Sequence, residues 1–278
     1  MSRPVFLITG CSTGFGRELA QVAASKGAIV VGTLRKESQI PALEALSPGN
    51  IHAVLMDVTS TEQIEAGVRE AISRFGRIDV LVNNAGYGSL GPVEAVTDQE
   101  MQAQFEVNVF GPIKLIRAVL PQMRKQRSGA ILNITSIAGL NGFPGVGVYN
   151  GSKFALEGIG EALHHEVKHL GIRVTNIEPG PFRTDWAGRS ANYYGHELKD
   201  YEETAVKNIE AIARVSGTQI GDPRKGAEAM YQVAMMENPP IHLPLGGPAY
   251  KRARIKLNRF LEEIDEYEHI GLPTDFEE

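Results

Sequence analysis

Val5-Phe6-Leu7-Ile8-Thr9-Gly10-Cys11-Ser12-Thr13-Gly14-Phe15-Gly16 joins a short apolar run to a glycine turn, and a helical pattern follows from Gly16 to Lys26. Val5 to Thr9 reads as a strand, and Gly27 as the stop of the helix. Glycines between a strand and a helix allow a tight turn, and they let backbone N–H groups approach an anion at the helix amino terminus. The spacing is Gly-x-x-x-Gly-x-Gly, which differs from the commoner Gly-x-Gly-x-x-Gly dinucleotide turn. An ordinary tight turn is the competing explanation. The strand–turn–helix context around these glycines argues for pyrophosphate binding instead.

Outward from this unit the chain repeats the same alternation. Apolar runs at Ala28 to Leu34, His52 to Met56, Ile78 to Asn83, Ala130 to Thr135, Ile172 to Glu178 and Ile241 to Leu245 read as six further strands. Several are almost continuously apolar, as strands covered on both faces should be. Strand–helix–strand repetition demands parallel pairing through right-handed crossovers. The expectation is one α/β domain over 1–278, a doubly wound sheet of the Rossmann type, mainly parallel and seven-stranded, with helices on both faces. Two stretches break the pattern. Residues 185–221 carry no strand signal, hold a helical patch from Glu202 to Val215, and are expected to act as a lid over a ligand. Residues 249–267 read as a C-terminal helix whose stripe of Ala253, Leu257, Phe260, Leu261 and Ile264 packs on the body or on a partner subunit.

Composition narrows the function classes. The formal charge is −5, from 28 Lys and Arg against 33 Asp and Glu. That balance is too weakly acidic to point to nucleic acid or an anionic membrane. A lone cysteine, Cys11, excludes a disulfide framework and a thiolate metal site, and it reads as a small filler in the turn. His165 and His169 share a helix face at i, i+4, yet a solvated face explains them better than a metal site, and no metal is expected. Arg124, Lys125 and Arg127 complement a helix end. No stretch has the length of a membrane span, so a cytoplasmic protein is expected.

Chemistry enters with Ser136, Tyr149 and Lys153. A helix through Tyr149 and Lys153 puts both side chains on one face. An ammonium one turn away favours the phenolate and brings a phenol of ordinary pKa about 10 toward neutrality. Ser136 could then bond the oxygen that Tyr149 protonates. Tyr-x-x-x-Lys also arises by chance in many helices, so the pair needs its surroundings. One of these is the second strand, which ends Gly32-Thr33-Leu34-Arg35-Lys36 without the acid that binds the ribose of NAD. Arg35 offers a guanidinium fork to a 2′-phosphate instead, with Arg17 and Ser12 as weaker candidates. A surface arginine that touches nothing is the alternative.

In their order along the chain these residues resemble the classical short-chain dehydrogenase/reductases, from about Val5 to Leu245. Thr9-Gly10-x-x-x-Gly14-x-Gly16 is similar to that family's cofactor turn, and Asn83-Asn84-Ala85-Gly86 to its motif after the fourth strand. Asn108, Ser136, Tyr149 and Lys153 match its catalytic order. Pro179-Gly180-Pro181-Phe182-Arg183-Thr184 resembles the segment that holds the nicotinamide. Thr33-Leu34-Arg35 and Tyr87-Gly88 look like the branch of 17β-hydroxysteroid type 1 and retinol dehydrogenases. Phe15, for an aliphatic residue, and Gly151, for alanine, depart from the family pattern.

The resemblance implies an NADP(H)-dependent oxidoreductase that interconverts a ketone or aldehyde and an alcohol. Tyr149 would be the general acid/base, Lys153 would lower its pKa and bind the ribose, Ser136 would orient the carbonyl, and Asn108 would support a proton relay. The implied cofactor contacts are Gly10, Ser12, Thr13, Gly14, Phe15, Gly16, Arg35, Asp57, Val58, Asn84, Ala85, Gly86, Pro179, Gly180, Phe182 and Thr184, together with Tyr149 and Lys153. Leu140, Phe143, Val146, Trp186, Tyr193 and Tyr194 are expected to line a pocket for a moderately bulky, apolar carbonyl compound or secondary alcohol. The family's habits also imply a homodimer or homotetramer through the helices carrying Asn108 and Tyr149. An epimerase or dehydratase of the extended branch and an NADPH sensor without turnover are the rival functions. The first lacks its usual glycine turn here, and the second usually loses part of the catalytic set.

Overall fold

Seven runs of aliphatic and β-branched residues lie side by side as parallel strands. In the computed structural model, which describes residues 3–276, they are β1 (Val5–Ile8), β2 (Ile29–Leu34), β3 (Ile51–Leu55), β4 (Val80–Asn83), β6 (Gly129–Ile134), β7 (Ile172–Pro179) and β9 (His242–Leu245), with β5 (Gly88–Leu90) and β8 (Ala191–Tyr193) forming a separate pair. Residues 1, 2, 277 and 278 of the expected 1–278 domain lie outside the described residues. The sheet order is β3-β2-β1-β4-β6-β7-β9, parallel at every pairing. All seven expected strands are present, with ends shifted by a residue or two. At Ile78, for example, the backbone N–H and C=O bond the Gln126 side chain at 3.2 and 2.9 Å, so the ladder starts later.

The helices are α1 (Gly14–Ser25), α2 (Ile40–Glu44), α3 (Thr61–Phe75), α4 (Asp98–Phe105), α5 (Gly111–Gln126), α6 (Gly147–Val167), α7 (Lys207–Arg214), α8 (Pro223–Met235) and α9 (Gly247–Gly271). They form two layers. Leu19 and Val22 of α1 and Met230 and Val233 of α8 pack on one face of the sheet with Phe6, Ile8 and Val30. Ile64, Val68, Leu115, Val119, Leu163 and Val167, from α3, α5 and α6, cover the other face with Leu7 and Leu81. Covering on both faces is why the strands read as unbroken apolar runs. Strand order reverses between β1 and β4, which opens a crevice at their carboxyl ends, the usual ligand position in such sheets.

Two expectations need correction. Within 185–221, residues Ala191–Tyr193 form β8 and pair in parallel with β5. Three residues are too few for periodicity to reveal. The patch from Glu202 divides into a π-helical turn, Glu202–Val206, and then α7. The C-terminal helix runs longer than 249–267, and of its stripe only Ala253 is buried, together with Ala249. Leu257, Phe260, Leu261 and Ile264 stay 57, 51, 58 and 48% exposed, because the body ends beneath the first turns of the helix. Among the described residues no helix is long and apolar enough to cross a membrane.

Candidate active site

The glycine turn is built by its neighbours across β1 and β4. Thr9 Oγ1 accepts hydrogen bonds from the backbone N–H groups of Asn84 and Ala85, both at 3.0 Å. Asn84 Nδ2 donates to the carbonyls of Thr9 and Gly10 at 2.7 and 3.2 Å. Gly10 and Gly14 adopt φ of 70° and 59°, the left-handed region where a side chain is strained. Gly16 serves packing, since a Cβ there would lie 2.5 Å from the Gly10 carbonyl and from Asn84 Nδ2, and it stands outside the cleft wall. Phe15, the departure from the family pattern, packs at a tilt on Phe182 with ring centroids 4.9 Å apart. Cys11 is fully buried, its Sγ 3.2 Å from the Ile8 carbonyl, and burial pushes its thiol up to about 12, as suits a filler.

Helix α1 starts at this turn without a side-chain cap. Thr13, its N-cap residue, has its hydroxyl bonded by Arg189 Nη2 at 2.6 Å instead. The first N–H donors of α1 are therefore left to an anion, and the residues fit the pyrophosphate of a dinucleotide.

One cleft of about 1110 Å³ runs from this turn across the carboxyl ends of the strands. Its wall includes Gly10, Ser12, Thr13, Gly14 and Phe15, then Arg35, Asp57 and Val58, and then Asn84, Ala85 and Gly86. Pro179, Gly180, Phe182 and Thr184 close it from β7, so of the expected cofactor set only Gly16 is absent from the wall. Arg35 and Lys36 sit at its mouth, both exposed. Asp57 accepts from Thr59 N and Oγ1 at 2.9 and 2.8 Å, which fixes the loop after β3.

Ser136, Tyr149 and Lys153 line the same cleft. Ser136 follows β6, and its Oγ accepts from the Ala138 N–H at 3.0 Å. Tyr149 and Lys153 project from α6 and are 6 and 5% exposed. Burial raises the Tyr149 phenol above its ordinary value, opposed by a hydrogen bond with Ser136. Burial lowers Lys153 to about 8, opposed by the charge of Glu157. Lys153 Nζ donates to the Ile134 carbonyl at 2.8 Å and lies 5.7 Å from the centre of the Tyr149 ring. One N–H of the lysine thus donates to a carbonyl, and desolvation outweighs the expected downward pull on Tyr149.

Asn108 lies in a π-helical turn, Glu106–Phe110, between α4 and α5. Its Oδ1 accepts from Tyr87 N at 3.1 Å, and its Nδ2 donates to Tyr87 O and Ser152 Oγ at 2.9 and 3.1 Å. This irregular turn stands immediately ahead of Pro112 in the first turn of α5. The side chain is held by Tyr87 and Ser152, which no sequence signal marked.

At the far end Phe143, Val146 and Trp186 line the cleft, and Trp186 packs on Tyr149 with centroids 5.0 Å apart. Leu140, Tyr193 and Tyr194 are not in its wall. Leu140 packs on Ile137, Ala249 and Ala253. Tyr193 donates its hydroxyl to Ala187 O at 2.7 Å, and the N–H of Tyr194 bonds Leu90 O at 2.8 Å, both fixed by the β5–β8 pair. Sequence reasoning missed Arg189, Ile212 and Val215 in the 185–221 segment and Arg252 in α9, all of which line the cleft. Arg252 also sits 4.8 Å over the Phe143 ring.

A second ionisable cluster lies one turn along α6. His242 Nδ1 is 2.7 Å from Glu178 Oε1 and 3.3 Å from Glu157 Oε2, and its Nε2 is 3.1 Å from Glu161 Oε1. Glu161 of α6 thus faces β9. Side-chain amides lead to this cluster across the sheet, from Asn83 to Asn133 to Asn176 and on to Glu157. The carboxylates raise the His242 imidazole to about 10.

Comparison with known proteins agrees with this architecture. The family model for short chain dehydrogenases matches residues 4–193. A 3-ketodihydrosphingosine reductase of Bacteroides thetaiotaomicron is 37% identical over 88% of this chain and 89% of its own length. Human 17-beta-hydroxysteroid dehydrogenase type 1 is 34% identical over 81 and 76% of the two chains. A crystal structure of a short-chain dehydrogenase from Streptomyces avermitilis superposes with a TM-score of 0.93 at 38% identity, covering 99% of each chain. Solved structures of the same fold carry NAD or NADP. By sequence and by fold, the chain belongs to the short-chain dehydrogenase/reductases, a family of oxidoreductases.

Proposed function

We propose that this protein is an NADP(H)-dependent carbonyl reductase acting on a moderately bulky, apolar ketone or aldehyde. One observation carries the reading: a buried phenol, a buried ammonium and a half-buried hydroxyl open into the same cleft as an uncapped helix start at a glycine turn. NADPH, bound along that turn, would supply hydride to the carbonyl carbon. Ser136 bonds the carbonyl oxygen and orients it. Tyr149 gives its proton to that oxygen as negative charge develops there. Burial keeps the phenol protonated at neutral pH, and an alkoxide is basic enough to take a proton even from a phenol so shifted, so the phenol stands in the form that reduction needs. Lys153, with its pKa near 8, remains mostly charged at neutral pH and grips the ribose hydroxyls. Asn108 holds the turn at Tyr87, and the irregular backbone of its π-helical turn supports the water that returns protons to Lys153.

Phe143, Val146, Trp186, Ile212 and Val215 give the substrate end its apolar character, with Arg252 at the rim. The name of the Bacteroides relative, 3-ketodihydrosphingosine reductase, agrees with a ketone as substrate. The segment 185–221 serves as the lid. Arg35 reads the 2′-phosphate, and Arg35→Ala should weaken NADPH about tenfold or more, leaving NADH unchanged, since a charge-assisted hydrogen bond contributes about 1.5–3 kcal/mol. The family's oligomers point to the face of α5 and α6 as the dimer surface, where Phe154 and, just before α5, Phe110 are exposed. The deciding experiment follows NADPH oxidation by absorbance over ketones and aldehydes of increasing apolar length. Turnover should rise with length; folded, NADPH-saturated protein that reduces none of them overturns the reading.

A further inference from the structure

Helix α9 leaves the body after Ala253, and from Leu257 to Gly271 every residue except Glu263 is exposed. Most of its apolar residues form one band, with Leu261 and Ile270 flanking it and Ile255 alone on the opposite face of the helix. Tyr250, Ala253, Leu257, Phe260, Ile264 and Tyr267 alternate at spacings of three and four, the seven-residue seam of a helix meant to pack on another helix. Ala253, with Ala249 beside it, is buried against the body, so the face used there continues outward with nothing on it. A helical arm of this length gains little from propensity alone in water, and an apolar stripe this long is unusual on a solvent-facing surface.

The charges identify the occupant. Lys251 to Arg259 holds five basic residues and no acid, whereas Glu262 to Glu268 holds five acids and no base. The boundary falls at Phe260 and Leu261, near the middle of the seam. We propose that α9 pairs antiparallel with α9 of a second copy of this chain, about a two-fold axis near Phe260. In that arrangement the basic half of each helix lies along the acidic half of the other, and Lys256 of one copy stands opposite Asp265 of its neighbour. A parallel pair would set five cations beside five cations, which disfavours the wrong orientation. An anionic lipid surface is a poorer partner, because it repels the acidic half. The interface is separate from α5 and α6, and it does not depend on the reaction assigned to the cleft.

The test measures the mass of the full chain in solution by light scattering, on the wild type and on Leu257→Glu with Ile264→Glu. Both residues are exposed, so the fold and NADPH binding should be unchanged. The pairing predicts that mass halves in the double variant. It also predicts that Lys256→Glu and Asp265→Lys each weaken assembly and that their combination restores it. Orientation is read by oxidative crosslinking: Phe260→Cys should join two copies efficiently, whereas Leu257→Cys alone should not. A wild type whose mass is unaffected by the double variant overturns the proposal. Crosslinking through Leu257→Cys as efficient as through Phe260→Cys overturns the antiparallel arrangement, and flotation with anionic vesicles in place of self-association assigns the face to lipid instead.

Discussion

Two clusters of ionisable groups lie one turn apart on α6, and burial treats them in opposite ways. Among the described residues Tyr149 and Lys153 have no charged partner in hydrogen-bond contact, so desolvation is the main cause acting on each, and it pushes the phenol up and the ammonium down to about 8. His242 sits between Glu157, Glu178 and Glu161, and hydrogen bonds to the carboxylates lift it to about 10 despite part burial. Both clusters are titratable, and both touch the interior. Burial alone therefore does not mark a reactive centre. What separates them is compensation: the first keeps its charges available to something that enters the cleft, and the second uses its charges on itself.

The comparison breaks most visibly at Tyr149. Tyr149→Phe keeps the ring that packs against Trp186 and removes the proton, so turnover should fall about 10²–10⁴-fold while NADPH affinity, measured by fluorescence titration, is kept. Activity near wild type would remove this phenol from its assigned role. A smaller effect is expected where the clusters meet. Glu157 raises the Lys153 pKa by its charge, so Glu157→Gln should lower that pKa below about 8. The alkaline limb of the kcat/KM profile should then move to lower pH, and an unmoved limb would show the two clusters to be uncoupled.

His242 sharpens the contrast through stability. Its folded value of about 10 lies above the ordinary 6.5, so its contribution is complete below pH 6.5 and is lost as pH rises toward 10. Lys153 acts in the opposite sense between about 8 and 10.5, which is why the useful quantity is the difference between wild type and His242→Gln in chemical denaturation. That difference should shrink steadily from pH 6.5 to 10, with the imidazole a third exposed and its effect screened accordingly. A constant difference would show that packing, and not charge, holds β9. The smallest effect belongs to Gly151, between Tyr149 and Lys153 on α6. A Cβ there meets only Phe105 Cζ at an ordinary 3.6 Å, so Gly151→Ala should stabilise the helix by up to about 1 kcal/mol with kcat unchanged.

What the sequence discloses follows from how local each signal is. Val5 to Gly16 carries strand, turn and helix within twelve residues, and the repeating alternation reveals all seven strands of the sheet. Gly10, Asn84, Ser136, Tyr149 and Lys153 are legible because their chemistry and spacing are short-range. The acid–imidazole cluster draws Glu157, Glu178 and His242 from three elements, and no spacing along the chain links them. Tyr193 and Tyr194 looked like a mobile wall because a three-residue strand leaves no period. Leu140 turned away because α9 covers it, a contact between residues more than a hundred positions apart. The stripe of α9 was visible as a pattern, but where the body ends beneath it is a property of the fold.

Cys11 has a practical consequence. It is the only thiol in the chain, it is shut beneath the glycine turn, and its proton is held until about pH 12. A thiol-specific dye therefore has a single address, reachable only when that turn opens. The rate of labelling under native conditions measures the opening free energy at the position where the dinucleotide is proposed to sit, and added ligand should slow labelling in proportion to its occupancy. The molecule carries its own occupancy gauge, with no engineered probe required.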